Sequence, residues 1–363
     1  MDTLTYREPT DKSKRKMFPS VSFIIPTLNA GKLLRGCLDS IKSQEYPQNK
    51  VEIMVVDGGS TDDTLELAKQ FNCRIVHNPR KLCGPGVALG ILEARNDLNI
   101  FFAADNRLAG TNWLKLMIKP FTDSQGVVGA SGPFVVDRND ISLNRYFSWV
   151  ESSPFHYFLC VNEASRKLYE HTYDIMEETP EYKILRMTVE KFPILGLANG
   201  FVLGRAILKD KGSNGGLLLN VVEKALSEDL DDILPVVKMI ERGYKIAYVS
   251  EGGVYHYHLE NYQQFLQKYR WKIRNNILGG LAYTNLRSYL SRQRKLKERL
   301  WILYSFSIIW PLLDAAHQLK RDRDIAWLHH PVICFLLSAI GILTVLEHPG
   351  HSFRYILRRL RKL

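Results

Sequence analysis

VSFIIPTLNAGKLLRGCLDSIKSQEYPQNKVEIMVVDGGSTDD, residues 21–63, sets two short apolar runs on either side of one amphipathic stretch. Val21–Ile25 is an apolar run that stops at Pro26, which reads as a buried strand. From Asn29 to Ser43, Leu33, Leu34, Cys37, Leu38 and Ile41 recur with the period of a helix. Val51–Val56 is a second strand ending at Asp57-Gly58-Gly59. Ser60-Thr61-Asp62-Asp63 has the form of a capping box and predicts a helix through Phe71, with Ser60 as its cap.

The alternation continues outward. Arg74–His77 and Asn99–Ala103 read as strands, Gly86–Arg95 and Thr111 to about Lys119 as helices, and Val127–Ser131 as a further strand. Later, Ser227–Glu241 is helical, and Lys245–Val249 and Val254–His258 are strands, which puts His256 and His258 on one face. Nearly continuous apolar strands alternating with helices predict an α/β fold with a doubly wound, mostly parallel sheet covered on both faces. Ligands bind such sheets at the carboxyl ends of the strands. Those ends are Pro26-Thr27, Asp57-Gly58-Gly59 and Ala104-Asp105-Asn106; two of the three carry a carboxylate, suited to a nucleotide and a metal. Residues 135–195 are irregular and rich in aromatics, most of them expected in the core and some able to line an acceptor site. Leu195–Gly204 is rich in small residues, including Asn199 and Gly200, as a close backbone approach requires.

Hydrophobic residues make up 45% and charged residues 24% of the 363 residues, which excludes wholesale disorder and fibrous repeats. The net charge of +11 is concentrated: residues 286–363 hold 14 Lys or Arg against 5 Asp or Glu. These basic residues flank apolar stretches instead of covering a folded face, which points to a membrane and not to nucleic acid. The apolar segments are 301–313, interrupted by Pro311, and 325–346. Residues 352–363 predict a basic amphipathic helix. A spanning helix needs about 20 apolar residues, so a hairpin, a re-entrant pair and surface attachment all remain open. The resulting organisation is a mobile tail over 1–18, a domain over 19–260 and a helical, membrane-associated region over 261–363. The polar, basic residues 1–17 hold no signal peptide. Cys37, Cys73, Cys83, Cys160 and Cys334 form no CxxC pair and read as buried, reduced thiols of a cytosolic domain.

IIPTLN, VVDGGSTDDT, the GPG loop at 84–86 and FFAADN together resemble the family 2 glycosyltransferases of the GT-A fold, over about residues 20–258. The resemblance implies an inverting, metal-dependent hexosyl transfer from a nucleotide-diphosphate sugar, UDP- or GDP-linked, to a lipid-linked or membrane-proximal glycan acceptor. It implies that Asp57 accepts a hydrogen bond from the base, that Gly59 and Gly84 keep backbone close to the nucleotide, and that Pro26, Thr27 and Asn29 line the other side. Leu28 stands where the family often has an aromatic. Asp105 would hold Mn2+ or Mg2+ against the diphosphate, with help from Asn106 and a late histidine, His256. The family usually has Asp-x-Asp there, and Ala103 stands in place of the first acid. Ser227-Glu228-Asp229 resembles the family's acidic pair: Asp229 would be the base that takes the acceptor proton, with Glu228 beside the acceptor. Asn199, Gly200 and the QxxRW residues Arg270 and Trp271 would serve the acceptor or diphosphate.

Three competing readings follow from the same residues. A polyprenyl phosphate acceptor would need little help from a base. A non-catalytic sugar-nucleotide binder is motivated by Ala103 and by Leu89, where the family often has Arg. Gly84–Gly90 (GPGVALG) imitates the dinucleotide loop of an oxidoreductase, although Asn78–Cys83 separate it from the preceding strand.

Overall fold

The computed structural model describes residues 18–151, 153–159, 173–188, 197, 199–209, 220, 222, 226, 233–257, 259–278 and 292–350. The predicted tail (but for Phe18) and the amphipathic segment 352–363 lie outside the described residues, as do Cys160, Ser227–Asp232 and His258. The chain divides into two compact units, Met1–Val135 with Glu163–Tyr257, and Val136–Asn162 with His258–Leu363. The segment Val136–Asn162, assigned by sequence to the first domain, belongs to the second unit.

The first unit is built on β1 (Val21–Thr27), β2 (Val51–Asp57), β3 (Arg74–His77), β4 (Leu98–Phe102), β5 (Asn106–Leu108), β6 (Val127–Ser131), β7 (Asp174–Glu178), β8 (Lys183–Arg186), β9 (Asn199–Gly204), β10 (Lys245–Tyr248) and β11 (Val254–His256). Nine of them form one sheet in the order β3-β2-β1-β4-β9-β6-β10-β8-β7, and β5 pairs with β11 in a second. The sheet is mixed. β9 lies antiparallel between β4 and β6, and β8 antiparallel between β10 and β7, while the other strands run one way. The β7–β8 hairpin falls in the stretch read as irregular. Its edge strand, DIMEE, is mostly exposed and charged, so it lacks the apolar run that marks a buried strand.

Helices α1 (Gly31–Lys42), α2 (Thr64–Gln70), α3 (Cys83–Glu93) and α4 (Trp113–Asp123) follow β1, β2, β3 and β5. In α1 the periodic residues Leu34, Cys37, Leu38 and Ile41 are all buried. Phe23, Phe102 and Trp113 meet at ring separations of 6.0–6.5 Å in the core. Pro26 does not end β1. The β4 ladder stops at Ile24–Phe101 while the β2 ladder continues to Thr27–Asp57, so a residue with no N–H sits where one side is already open.

α3 opens three residues before the predicted start, so the GPG residues lie in its first turn. A Cβ on Gly90 would stand 2.2 Å from Ile24 Cγ2, so the small residues let α3 lie directly on β1. That packing role replaces the dinucleotide-loop reading. Cys37 and Cys334 are buried as expected, but Cys83, at the exposed start of α3, is not.

The second unit is helical, with Ser142–Trp149, Pro154–Leu159, Tyr262–Leu278, Arg292–Ser307, Ile309–Asp322, the short 3-10 turn Ile325–Leu328 and His329–Glu347. Tyr146, Phe147, Phe265, Tyr269 and Trp327 are buried together in its core, which explains why the aromatic segment after Val135 belongs here. Asp324, almost fully buried, accepts from Arg145 at 3.0 Å and from Trp149 Nε1 at 3.0 Å. Pro311 does not interrupt the apolar segment. It lies in the first turn of Ile309–Asp322, where a missing N–H costs nothing, and the break falls at Ile308, with φ 58°.

Candidate functional site

The carboxyl ends of the parallel strands β2, β1 and β4 lie side by side, and the first two are latched by side chains. Asp57 closes β2 and is almost fully buried. Its Oδ2 accepts the N–H groups of Gly59 at 2.8 Å and Ser60 at 2.9 Å. Its Oδ1 accepts the hydroxyls of Ser60 at 2.5 Å and Thr27 at 3.2 Å. Burial raises the Asp57 pKa, but the donors from Ser60, Gly59 and Thr27 outweigh it and hold the carboxyl below its usual value. Gly59, with φ 94°, takes the left-handed turn this wrap requires.

Ser60 is therefore not the cap of α2. Its hydroxyl is given to Asp57, and its oxygen accepts the Asn29 N–H at 2.8 Å. Asn29, itself at φ 51°, accepts the Thr61 N–H on Oδ1 at 2.8 Å. Asp62 accepts from the Thr64 N–H at 3.1 Å and from the Gly31 N–H at 3.1 Å. The segment that reads as a capping box thus ties the β1–α1 loop to the β2–α2 loop. Leu28 projects from this latch into solvent. Pro26 and Gly86, next to Gly84 in the first turn of α3, approach each other from the other side.

Lys81 was missed in the sequence. It sits at φ 60° in the turn Asn78–Leu82, where the Asn78 N–H donates to the Asp57 carbonyl at 2.7 Å. A Cβ on Gly58 would stand 3.1 Å from Lys81 Cα, and one on Gly59 3.9 Å from its Cε. A cation therefore crosses the Asp57 turn, in a loop whose sequence, NPRKL, announces only a turn.

The second half of the site is built by β5 and β11. Their register sets Asn106 opposite His256. His256 Nδ1 lies 2.6 Å from Asn106 Oδ1 and 3.7 Å from Asp105 Oδ1. An amide oxygen only accepts, so Nδ1 carries the proton and the ring's lone pair lies on Nε2. Asp105 and His256 are both partly exposed. The next residue, Arg107, stacks its guanidinium 4.2 Å from the Tyr257 ring centre, and the Tyr257 N–H donates to the Asp105 carbonyl at 2.8 Å. Asn199 pairs with Phe102 at the end of β4, which brings Asn199 and the buried Gly200 to the same rim.

Among the described residues, no group of three or more His, Cys, Asp or Glu side chains is placed to hold a metal. One carboxylate and one imidazole do fit a hard divalent cation that takes the rest of its shell from substrate phosphates, since such cations commonly bind through only one or two protein carboxylates. Glu228 and Asp229 lie outside the described residues. Arg270 and Trp271 lie in the second unit, where Arg270 pairs with Glu347 at 2.8 Å and Trp271 is exposed.

Residues 22–187 match the family model described as Glycosyl transferase family 2. The chain is 28% identical over 258 residues to the O-antigen chain rhamnosyltransferase RfbN of Salmonella typhimurium, covering 69% of this chain and 70% of that one. It is 48% identical over 54 residues to the glycosyltransferase AglE of Haloferax volcanii, covering 15% of this chain and only 18% of that relative. The mannosyltransferase PcManGT of Pyrobaculum calidifontis, solved with GDP-Man and Mn2+, superposes with a TM-score of 0.52 at 14% identity, over 92% of this chain and 88% of that one. The likeness establishes a common fold.

Proposed function

Because the chain is a family 2 glycosyltransferase of the GT-A fold, we propose that it transfers a sugar from a UDP- or GDP-linked donor to a lipid-linked or glycan acceptor at a cytosolic membrane face. The observation that carries this reading is the corner Asp105–Asn106–His256, joined to the Asp57 latch by strands that end on one rim.

Pro26, Thr27, Asn29, Asp57, Gly59 and Gly84 would bound the base. The Asp57 carboxylate already accepts four hydrogen bonds, so a base N–H takes the place of the longest, from Thr27 at 3.2 Å. Asp105 would hold Mn2+ or Mg2+ by a carboxylate oxygen and His256 by Nε2, with Asn106 fixing the imidazole. When bound, such a cation neutralises the charge that grows on the departing diphosphate. Lys81 adds a fixed positive charge beside the Asp57 turn. Asp229 would take the proton of the acceptor hydroxyl as its oxygen attacks the anomeric carbon, giving inversion in a single displacement. Asn199, Gly200, Glu228, Arg270 and Trp271 are assigned to acceptor or diphosphate contacts.

The test is a panel of UDP- and GDP-sugars offered to the detergent-purified chain, with polyprenyl phosphate and polyprenyl-diphosphate saccharides as acceptors. Release of one nucleoside diphosphate that needs Mn2+ or Mg2+ and is abolished by Asp229→Asn, with nucleotide binding kept, is the expected result. Wild-type turnover in Asp229→Asn removes that residue from the role.

A further inference from the structure

The second unit carries an apolar surface that its own core does not use. Helices Leu296–Ser307 and Ile309–Asp322 meet at 89°. The corner between them is apolar and open: Leu303 is 70%, Ile309 66% and Trp310 62% exposed, with Phe306, Ile308 and Leu313 also exposed. Soluble chains leave such side chains exposed singly, not in a run. The two arms are only about 18 and 21 Å long, short of the ~30 Å hydrocarbon core of a bilayer. Their far ends carry an excess of bases over acids, Lys297 and Arg299 around Glu298 on one and Lys320, Arg321 and Arg323 beside Asp322 and the buried Asp324 at the other. An apolar corner between two basic feet fits a pair that dips into one leaflet and returns.

The stretch Ile325–Glu347 is long and apolar enough to cross a membrane. Its exposed residues Leu328, Val332, Phe335, Ile342 and Leu346 make a single stripe, while Ile333, Cys334 and Leu337 face the core. The polar helix Tyr262–Leu278 meets it at both ends. Tyr262 Oη lies 2.5 Å from His329 Nδ1, and Arg270 lies 2.8 Å from Glu347. Gln263, Gln267, Arg270 and Arg274 run along the exposed face of that helix, flanked by Leu266 and Trp271. A crossing by Ile325–Glu347 would carry them into hydrocarbon, where amides and guanidinium groups are costly. Phe306 and Phe335 touch at 5.2 Å, which joins corner and stripe into one surface.

We infer that the second unit docks on an anionic lipid bilayer as a monotopic body, with the 303–313 corner and the Leu328–Leu346 stripe immersed in one leaflet and neither segment crossing. The inference takes from the proposed function the membrane-proximal acceptor, and the two fail separately. Binding of the donor nucleotide by the purified chain in detergent reports on the transferase alone.

The full chain is floated with vesicles of phosphatidylcholine, with and without phosphatidylglycerol. Wild type is expected to float with the anionic vesicles and far less with the neutral ones. Leu303→Glu with Ile309→Glu is expected to lose at least about tenfold of the bound protein, with unchanged melting temperature and nucleotide binding. Unchanged flotation of that variant overturns the docking surface. Nitroxides are then placed by Leu328→Cys, Phe335→Cys and Leu346→Cys, in a background with Cys73, Cys83 and Cys160 changed to Ser, and read by collisional quenching. Similar shallow depths at all three positions are expected. A profile deepest at 335 and shallow at both ends is that of a crossing helix and overturns the monotopic placement.

Discussion

β1 is flanked by β2 and β4; Asp57 closes β2, Asp105 follows β4 just ahead of β5, and their surroundings differ in kind. Asp57 is buried and accepts four hydrogen bonds from Thr27, Gly59 and Ser60. Asp105 is partly exposed, and His256 Nδ1 stands 3.7 Å from its Oδ1, beyond hydrogen-bond reach. One carboxylate is tied into the loop it shapes; the other is held open beside an imidazole whose orientation Asn106 fixes. Under the proposed function the first acid both shapes its loop and meets the base, while the second serves the cation, so substitutions at Asp57 should cost stability as well as donor binding and those at Asp105 turnover alone.

The largest effect is expected at the open corner. Asp105→Ala should cost about 10²–10³-fold in sugar transfer, and calorimetry should find its melting temperature close to wild type. A variant that instead melts early would erase the contrast. At the latch stability falls too. Asp57→Ala leaves the partly buried N–H groups of Gly59 and Ser60 and two hydroxyls without their acceptor, and should lose about 1–3 kcal/mol in urea unfolding. Asn106→Ala acts through His256 and should raise the Mn2+ concentration needed for half-maximal activity by about tenfold.

The smallest effect is on pH dependence. The folded-state pKa of Asp57 lies below its unfolded value, near 3.9. Its contribution to stability is therefore full above that value and lost as pH falls through the folded pKa. Asp57→Asn does not titrate, so its stability deficit against wild type should shrink below about pH 4, as urea titrations across that range would record.

How much of this was legible depended on the distance between partners. The runs VSFII and VEIMVV are apolar throughout, so β1, β2 and the rim they share could be read locally. Ser60 reads as a cap because a hydroxyl ahead of a helix serves either a cap or a neighbouring carboxylate, and only the folded loop, where it bonds Asp57, decides. β5 and β11 have three residues each, and Asn106 meets His256 across 150 positions, so no periodicity marks the corner. The candidates Asp105 and His256 follow from the family resemblance; their adjacency comes from the fold. β9 was hidden for another reason, since direction in a sheet leaves no trace in an apolar run such as GFVLG. In the helical unit, Pro311 reads as a break, yet the chain turns at Ile308 and accommodates Pro311 in a first turn.

The central claim is that Asp105 and His256 hold a cation together with the diphosphate of the donor. Calorimetric titration of Mn2+ into the chain, with and without UDP or GDP, tests it most directly. Weak Mn2+ binding alone, much tighter binding with the matching nucleotide, and loss of that gain in Asp105→Ala are the predicted results. Mn2+ binding that is indifferent to the nucleotide, or preserved in Asp105→Ala, would contradict the account.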